Sequence, residues 1–64
     1  MLEYDLYLNI KKPAIGLYVP KGAGLPHLTE AEDWVFDGTT AEDALPASVI
    51  SAVAANGHAF RDMN

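Results

Sequence analysis

Residues 2–11, LEYDLYLNIK, alternate between an apolar and a polar set of side chains, with Tyr7 in the polar set as the exception. The apolar set, on one face of an extended chain, is Leu2, Tyr4, Leu6, Leu8 and Ile10. A period of two is typical of a strand that is buried on one face, whereas an amphipathic helix repeats its apolar positions every three or four residues. The chain therefore begins with a strand whose apolar face needs a cover, and its other face is expected to be wet.

Three further segments have the character of strands. Lys12-Pro13 interrupts the first pattern, and residues 14–19, AIGLYV, predict a second strand. A hairpin is the simplest connection between the two, because parallel pairing needs a longer crossover. Residues 34–38, WVFDG, predict a short third strand that ends at Asp-Gly, and residues 58–63, HAFRDM, alternate as a fourth strand would.

The segment 46–56, PASVISAVAAN, predicts a helix. Its apolar stripe is Val49, Ile50, Val53 and Ala54. Proline is tolerated only in a helix's first turn, so either a short turn at 40–45 precedes the helix or the helix starts at Pro46. Gly57 stands where a helix favours a left-handed residue, which makes Gly57 the necessary residue of NGHAF and His58 a replaceable strand end.

Two capping boxes are also predicted. Thr29 with Glu32 indicates a single turn at 30–33, and Thr39 with Glu42 indicates another helix start. Together the elements predict an α+β fold in the order β-β-turn-β-α-β: a small antiparallel sheet of three to four strands with one helix packed on one face. The exposed edges of such a sheet invite a further strand, so we expect a homodimer.

Length and charge restrict the function. Residues 1–64 make a single domain of marginal size, without cysteine for a disulfide. Nine carboxylates oppose four cations, which disfavours nucleic acid and anionic membranes as partners and, where the partner is charged, favours a basic one. The longest apolar stretch, residues 49–55, is too short to span a bilayer. The sequence has no cysteine, and its first residues are acidic and do not resemble a signal peptide. Both features favour a cytoplasmic location.

Candidate chemical sites are weak. The GAG at 22–24 lacks the Gly-Lys-Ser/Thr ending that a phosphate loop needs. A catalytic set could be drawn from Ser48, Ser51, His58 and Asp62, but neither serine lies in a nucleophile-elbow sequence. His27, Glu30, Asp33 and His58 have ligand chemistry, yet both carboxylates suit the first turn of a helix, where the macrodipole favours acids. We therefore expect no catalytic residue, no bound metal and no cofactor.

A binding surface is the remaining candidate. Tyr18, Trp34, His58 and Arg61 combine the aromatic and arginine side chains that are enriched at binding hot spots. In a domain this small, Trp34 could instead fill the core. Our functional hypothesis is a small acidic protein-interaction module without enzymatic activity. The alternative is a small-ligand or metal-binding protein that uses His27, His58 and the 20–27 loop.

The pattern LYVPKGAGLP, DWVFDGT, LP and NGHAF resembles a group of short bacterial proteins of unknown function. The resemblance covers most of the chain, from Leu17 to Phe60. Its shared residues are turn glycines, prolines and aromatics, so it implies a fold and a bacterial source. It implies no activity, ligand or catalytic residue.

Overall fold

The computed structural model describes residues 2–26 and 30–62, and within these ranges the chain forms four strands, one α-helix and two 3-10 helices. The strands are β1 Glu3–Asn9, β2 Ile15–Pro20, β3 Trp34–Ala41 and β4 Ala59–Asp62; the helix is α1 Ala47–Asn56; the 3-10 helices are Ala31–Asp33 and Glu42–Ala44. The predicted α+β fold is confirmed, because the strands form one antiparallel sheet and α1 packs on it. No helix in the described ranges is long and apolar enough to cross a membrane.

The strand order is β3-β1-β2-β4, and every neighbouring pair is antiparallel. The β1–β2 hairpin is confirmed, with Leu6 opposite Tyr18. Since β2 and β3 are both antiparallel to β1, they run in the same direction on either side of it. The connecting segment 21–33 must therefore return along the length of the sheet and pass β1, which places Trp34 beside Asn9 at the hairpin end.

The helix covers the face of the sheet that the first strand predicts to be apolar. The core on this side contains Tyr4, Leu6, Tyr18, Val49, Val53 and Ala59. Ile50 and Ala52 pack against it, whereas Ala54 is exposed. The predicted stripe is therefore wrong at Ala54, because the axis of the buried face runs through Val49 and Val53 and the next neighbour on that side is Ala52.

The face of the sheet that points away from α1 is also buried at its centre. Leu17 and Val19 alternate with Tyr18, so they point away from the helix, yet only 0% and 1% of their surface is exposed. Asp5 lies on the same face, next to Val19, and is 8% exposed. The expectation of a wet face is wrong at Asp5, because the centre of this face is buried together with Leu17 and Val19.

Asp5 joins three parts of the chain. Its carboxylate accepts hydrogen bonds from the Gly22 N–H and the Thr39 hydroxyl, each at 3.0 Å. The first of these donors lies at the start of the segment 21–33 and the second lies near the end of β3. Asp5 therefore holds the crossover segment and the outer strand against the central strand β1.

The predicted role of Thr39 in capping is wrong. Its hydroxyl is bound to Asp5, β3 continues to Ala41, and the 3-10 helix Glu42–Ala44 begins without a side-chain cap. Both alternatives for the region before α1 hold in part, since this short helix precedes an α-helix whose N-cap is Pro46. Thr29, the other predicted cap, lies outside the described residues, as does Met63 of the predicted fourth strand.

The third strand is longer than predicted because Asp-Gly forms a bulge instead of ending it. Leu6 lies opposite Gly38 and Tyr7 lies opposite Phe36, so Asp37 has no partner on β1. The backbone of Gly38 has a φ of 153°, which side chains rarely allow. Trp34 and Phe36 lie on the face of the sheet away from α1, and Asp37 is exposed.

The helix ends at Gly57 as predicted, with φ 81° and ψ −3°, and the Gly57 N–H donates to the Val53 carbonyl at 2.7 Å. Replacing Gly57 with valine should lower the free energy of unfolding by at least about 1–2 kcal/mol, through backbone strain alone. A new Cβ would meet no atom within 4 Å, so crowding adds nothing. Gly57→Asn is the control, since asparagine tolerates this conformation; equal losses in urea unfolding for both variants would contradict the explanation.

Replacing Asp5 with alanine should lower the free energy of unfolding by about 1–3 kcal/mol, because two donors lose their acceptor. Asp5→Asn should cost less, since its carbonyl can accept from Gly22 while its amide donates to the Thr39 oxygen. The exposed Asp43→Ala variant is the control and should stay within about 0.5 kcal/mol of the parent. Urea unfolding measures all three, and an Asp5→Ala variant as stable as the control would rule out the anchoring role.

Candidate functional site

An open groove of about 440 Å³ lies at the hairpin end of the sheet, on the face away from α1. We call it the aromatic groove; its lining residues are Asn9, Lys11, Lys12, Ile15, Trp34 and Phe60. Each of the strands β1 to β4 contributes one of these side chains, and the two lysines come from the hairpin turn. The groove thus exists only where the ends of all these strands meet.

The floor of the groove is aromatic. Trp34 and Phe60 belong to the outer strands β3 and β4, which are separated by three strand spacings, about 14 Å. Their ring centroids are nevertheless only 5.9 Å apart, with the planes tilted by 43°. Both side chains therefore lean inward across β1 and β2. Trp34 is half-buried and Phe60 is 50% exposed, so their contact leaves apolar surface open to a partner.

His58 extends this aromatic surface on one side. Its ring meets Phe60 edge-on, with the centroids 5.4 Å apart and the planes at 75°. Further along the same face, Tyr7 and Phe36 form a second edge-on pair at 5.7 Å. Aromatic pairs of this kind add about 0.5–1.5 kcal/mol beyond their area burial. The face away from α1 therefore carries a row of aromatic side chains that runs outward from the groove.

The rim of the groove is cationic. The backbone N–H groups of Lys11 and Lys12 donate to the Asn9 Oδ1 at 2.8 and 2.9 Å, which fixes the turn that carries both lysines. The Lys11 ammonium lies 3.4 Å from the Asp33 carboxylate; Lys11 is exposed and Asp33 is partly buried. No ion pair joins Lys12 to any other described residue. Lys12 is thus free to bind an anionic group of a partner.

The lining residues supply aromatic surface and ammonium groups, both of which can bind a partner. Aromatic surface beside an ammonium group suits an apolar side chain that is followed by a carboxylate. Ser48 and Ser51 are exposed on α1, on the opposite side of the sheet from His58, so these residues are not brought together. Within the described ranges no three acidic or histidine side chains are grouped as a metal would need, and His27 lies outside those ranges.

The candidate binding residues fall on two different faces. Trp34 and His58 both lie beside Phe60 at the groove. Tyr18 is 3% exposed and packs beneath α1. Arg61 lies opposite Gly16 on the helix side of the sheet, so it does not approach Trp34. The structure therefore groups two of these residues and separates the other two from them.

Sequence reasoning missed Phe60, Ile15 and Lys12 as site residues. A usable signal was present, because Lys11 and Lys12 are half of the chain's cations and follow an asparagine of the kind that caps turns. The contact between Trp34 and Phe60 had no such signal, since it depends on the strand order.

No protein-family model, no curated protein and no solved structure matches this chain. The resemblance to short bacterial proteins therefore stays an expectation.

Replacing Phe60 with alanine should shift the fluorescence emission of Trp34, the single tryptophan of the chain, to longer wavelength. The indole loses its ring neighbour and gains contact with water. The control is Phe36→Ala, which removes an exposed ring that contacts Tyr7 instead. Spectra of both variants should be taken at protein concentrations too low for self-association. An unchanged spectrum for Phe60→Ala would show that the two rings do not pack in solution.

Proposed function

We propose that this chain is a small acidic protein-interaction module without enzymatic activity, and that it binds its partner through the aromatic groove. The observation that carries the proposal is the exposed aromatic floor beside the unpaired Lys12. Interfaces concentrate their binding energy in a few aromatic and cationic side chains surrounded by weaker contacts. The groove has this composition.

The openness of the groove favours a protein partner. Pockets for small molecules enclose about 70–90% of the ligand surface. Here the groove lies across the sheet face, Lys11 and Lys12 are exposed, and Phe60 is half exposed, so a small ligand would stay largely in water. A protein partner supplies the missing walls with its own surface.

The charge of the chain restricts the partner further. A net charge of −5 repels an acidic protein at long range, while the two lysines at the groove attract a carboxylate at short range. We therefore expect the segment of the partner that enters the groove to be apolar and to carry a carboxylate. Nucleic acid fits this groove poorly, because few phosphates would meet a cation.

A small-ligand function is the second candidate, and the groove volume of about 440 Å³ supports it, since binding pockets span about 300–1,000 Å³. In this version His58 at the edge of the groove contributes a polar contact. The metal-binding version also needs His27 and the 20–27 loop. Titration with zinc and with a panel of metabolites, followed by Trp34 emission and melting temperature, tests it. A saturable response that His58→Ala abolishes would favour this candidate over the interaction module.

The interaction proposal is tested with groove variants. Immobilised parent protein, Phe60→Ser, Lys12→Glu and Val35→Ser are exposed to a lysate of the source cells. Val35 is the matched control, because it is an exposed apolar residue on the helix side of β3. We expect a protein that the parent and Val35→Ser retain and that both groove variants lose.

The retained protein is then purified and titrated against the parent while Trp34 emission is followed. Saturable binding should be weakened about tenfold or more by either groove substitution, as expected when a hot-spot contact is lost. If the groove variants retain the same proteins as the parent with the same affinity, the groove is not the docking site.

A further inference from the structure

A second exposed feature lies on the same face of the sheet as the aromatic groove. Phe36 is 58% exposed, and it follows Trp34 by two positions on β3. Its ring packs against Tyr7 with the planes at 72°, and more than half of its surface remains in water. A large exposed aromatic side chain lies here beside a groove with an aromatic floor. Covering such an apolar surface with a partner is favourable.

The next residue adds a negative charge to this feature. Asp37 occupies the bulge, where it has no partner on β1, and it is exposed. No ion pair joins it to another described residue. Phe36 and Asp37 together thus present an apolar ring followed by a carboxylate. These two groups are complementary to the groove, whose aromatic floor can contact the ring and whose unpaired Lys12 can pair with the carboxylate.

We infer that the occupant of the groove is a second copy of this chain, an inference that rests on the groove being a docking site as proposed above. In the dimer, Phe36 of each copy packs on the Trp34 and Phe60 rings of the other, and Asp37 of each copy pairs with Lys12 of the other. Phe36 and the groove lie on one face, so a two-fold axis near β3 places the Phe36 ring of each copy on the groove of the other, as an isologous interface requires.

The alternative route to a dimer, pairing between outer strands, is hindered at β3. The bulge at Asp37 interrupts the outer edge of the strand, and a charge stands at the interruption. Both features are known to protect sheet edges against pairing. Packing of the two faces against each other does not disturb the bulge, and it pairs the Asp37 carboxylate with Lys12 of the other copy.

The size of the chain sets the strength of the association. A stable interface buries about 800 Å² per partner, which is roughly a fifth of the 4048 Å² surface of this chain. Contact between Phe36 and the groove, at one end of a face, buries less than about 800 Å² per partner. The dimer should therefore be weak and concentration-dependent, and the experiment must extend to high protein concentration.

Charge reversal tests the inference. Lys12→Glu and Asp37→Lys are each examined by sedimentation equilibrium over a wide range of concentrations, with Trp34 emission as a second readout. Each substitution should weaken dimerisation about tenfold or more, because it places like charges together in the interface. Asp37→Lys is the sharper of the two, since it lowers the net negative charge and so should favour association if only general repulsion mattered. Asp43→Lys makes the same change of charge at an exposed site away from the groove, and it should leave dimerisation intact or slightly strengthened.

Mixing the two variants gives the decisive result. In a heterodimer of Lys12→Glu with Asp37→Lys, both reciprocal contacts join opposite charges again. Two variants that are mainly monomeric alone should therefore dimerise together, and the double variant should dimerise like the parent. Phe36→Ser should weaken the parent dimer, whereas Val35→Ser should not.

A monomer at every concentration overturns the inference, and so does a dimer that neither reversal weakens, as pairing through strand edges would produce. These results are separate from a failure of the proposed function. If the chain stays monomeric but Phe60→Ser and Lys12→Glu still abolish binding of a purified partner, the groove docks a different protein and only the second-copy inference fails. If the groove variants change neither self-association nor partner binding, both proposals fail.

Discussion

The carboxylate of Asp5 holds together the parts of this chain that local structure leaves separate. It is buried on the central strand β1, and a buried charge is tolerated only when hydrogen bonds replace its hydration. The donors are the Gly22 N–H of the crossover segment and the Thr39 hydroxyl of β3. Because β2 and β3 run in the same direction on either side of β1, the chain must travel back along the sheet between them. Asp5 secures the beginning of that segment and the far end of the strand that it leads to.

Burial on both faces of the sheet follows from this arrangement. A single short helix covers one face, and Leu17 and Val19 are buried on the other. In a domain this small, each additional buried apolar side chain is a large share of the total stability, about 1.5–3 kcal/mol when fully buried. At the hairpin end the cover is incomplete, and Trp34 and Phe60 lean across the inner strands toward each other. The groove is thus the part of the second face that the chain does not close by itself.

The charged side chains around the groove restrict what can bind there. Nine carboxylates oppose four cations, yet two of these cations, Lys11 and Lys12, lie together at the groove because Asn9 fixes their turn. Asp37 stands at the bulge in β3, is exposed and directly follows the exposed Phe36. Lys12 beside the aromatic floor of the groove is complementary to Asp37 beside the Phe36 ring. This complementarity is the physical basis for both the interaction role and the second-copy inference.

Sequence alone determined the local structure: the alternation of residues 2–11, the hairpin after Lys12-Pro13, the helix that Gly57 ends, and the α+β class. These follow from periodicity and backbone preference, which act between near neighbours. It misplaced Ala54, because the pattern of a helix does not show which of its positions meets the sheet. It misplaced Thr39 and put Tyr18 and Arg61 on one surface with Trp34, because those assignments depend on which strands are adjacent. Only the tertiary structure decided the order β3-β1-β2-β4, the burial of Asp5 and the meeting of Trp34 with Phe60. The reason is that pairing between distant strands is set by the total free energy of burying both faces, and no short stretch of residues contains that information.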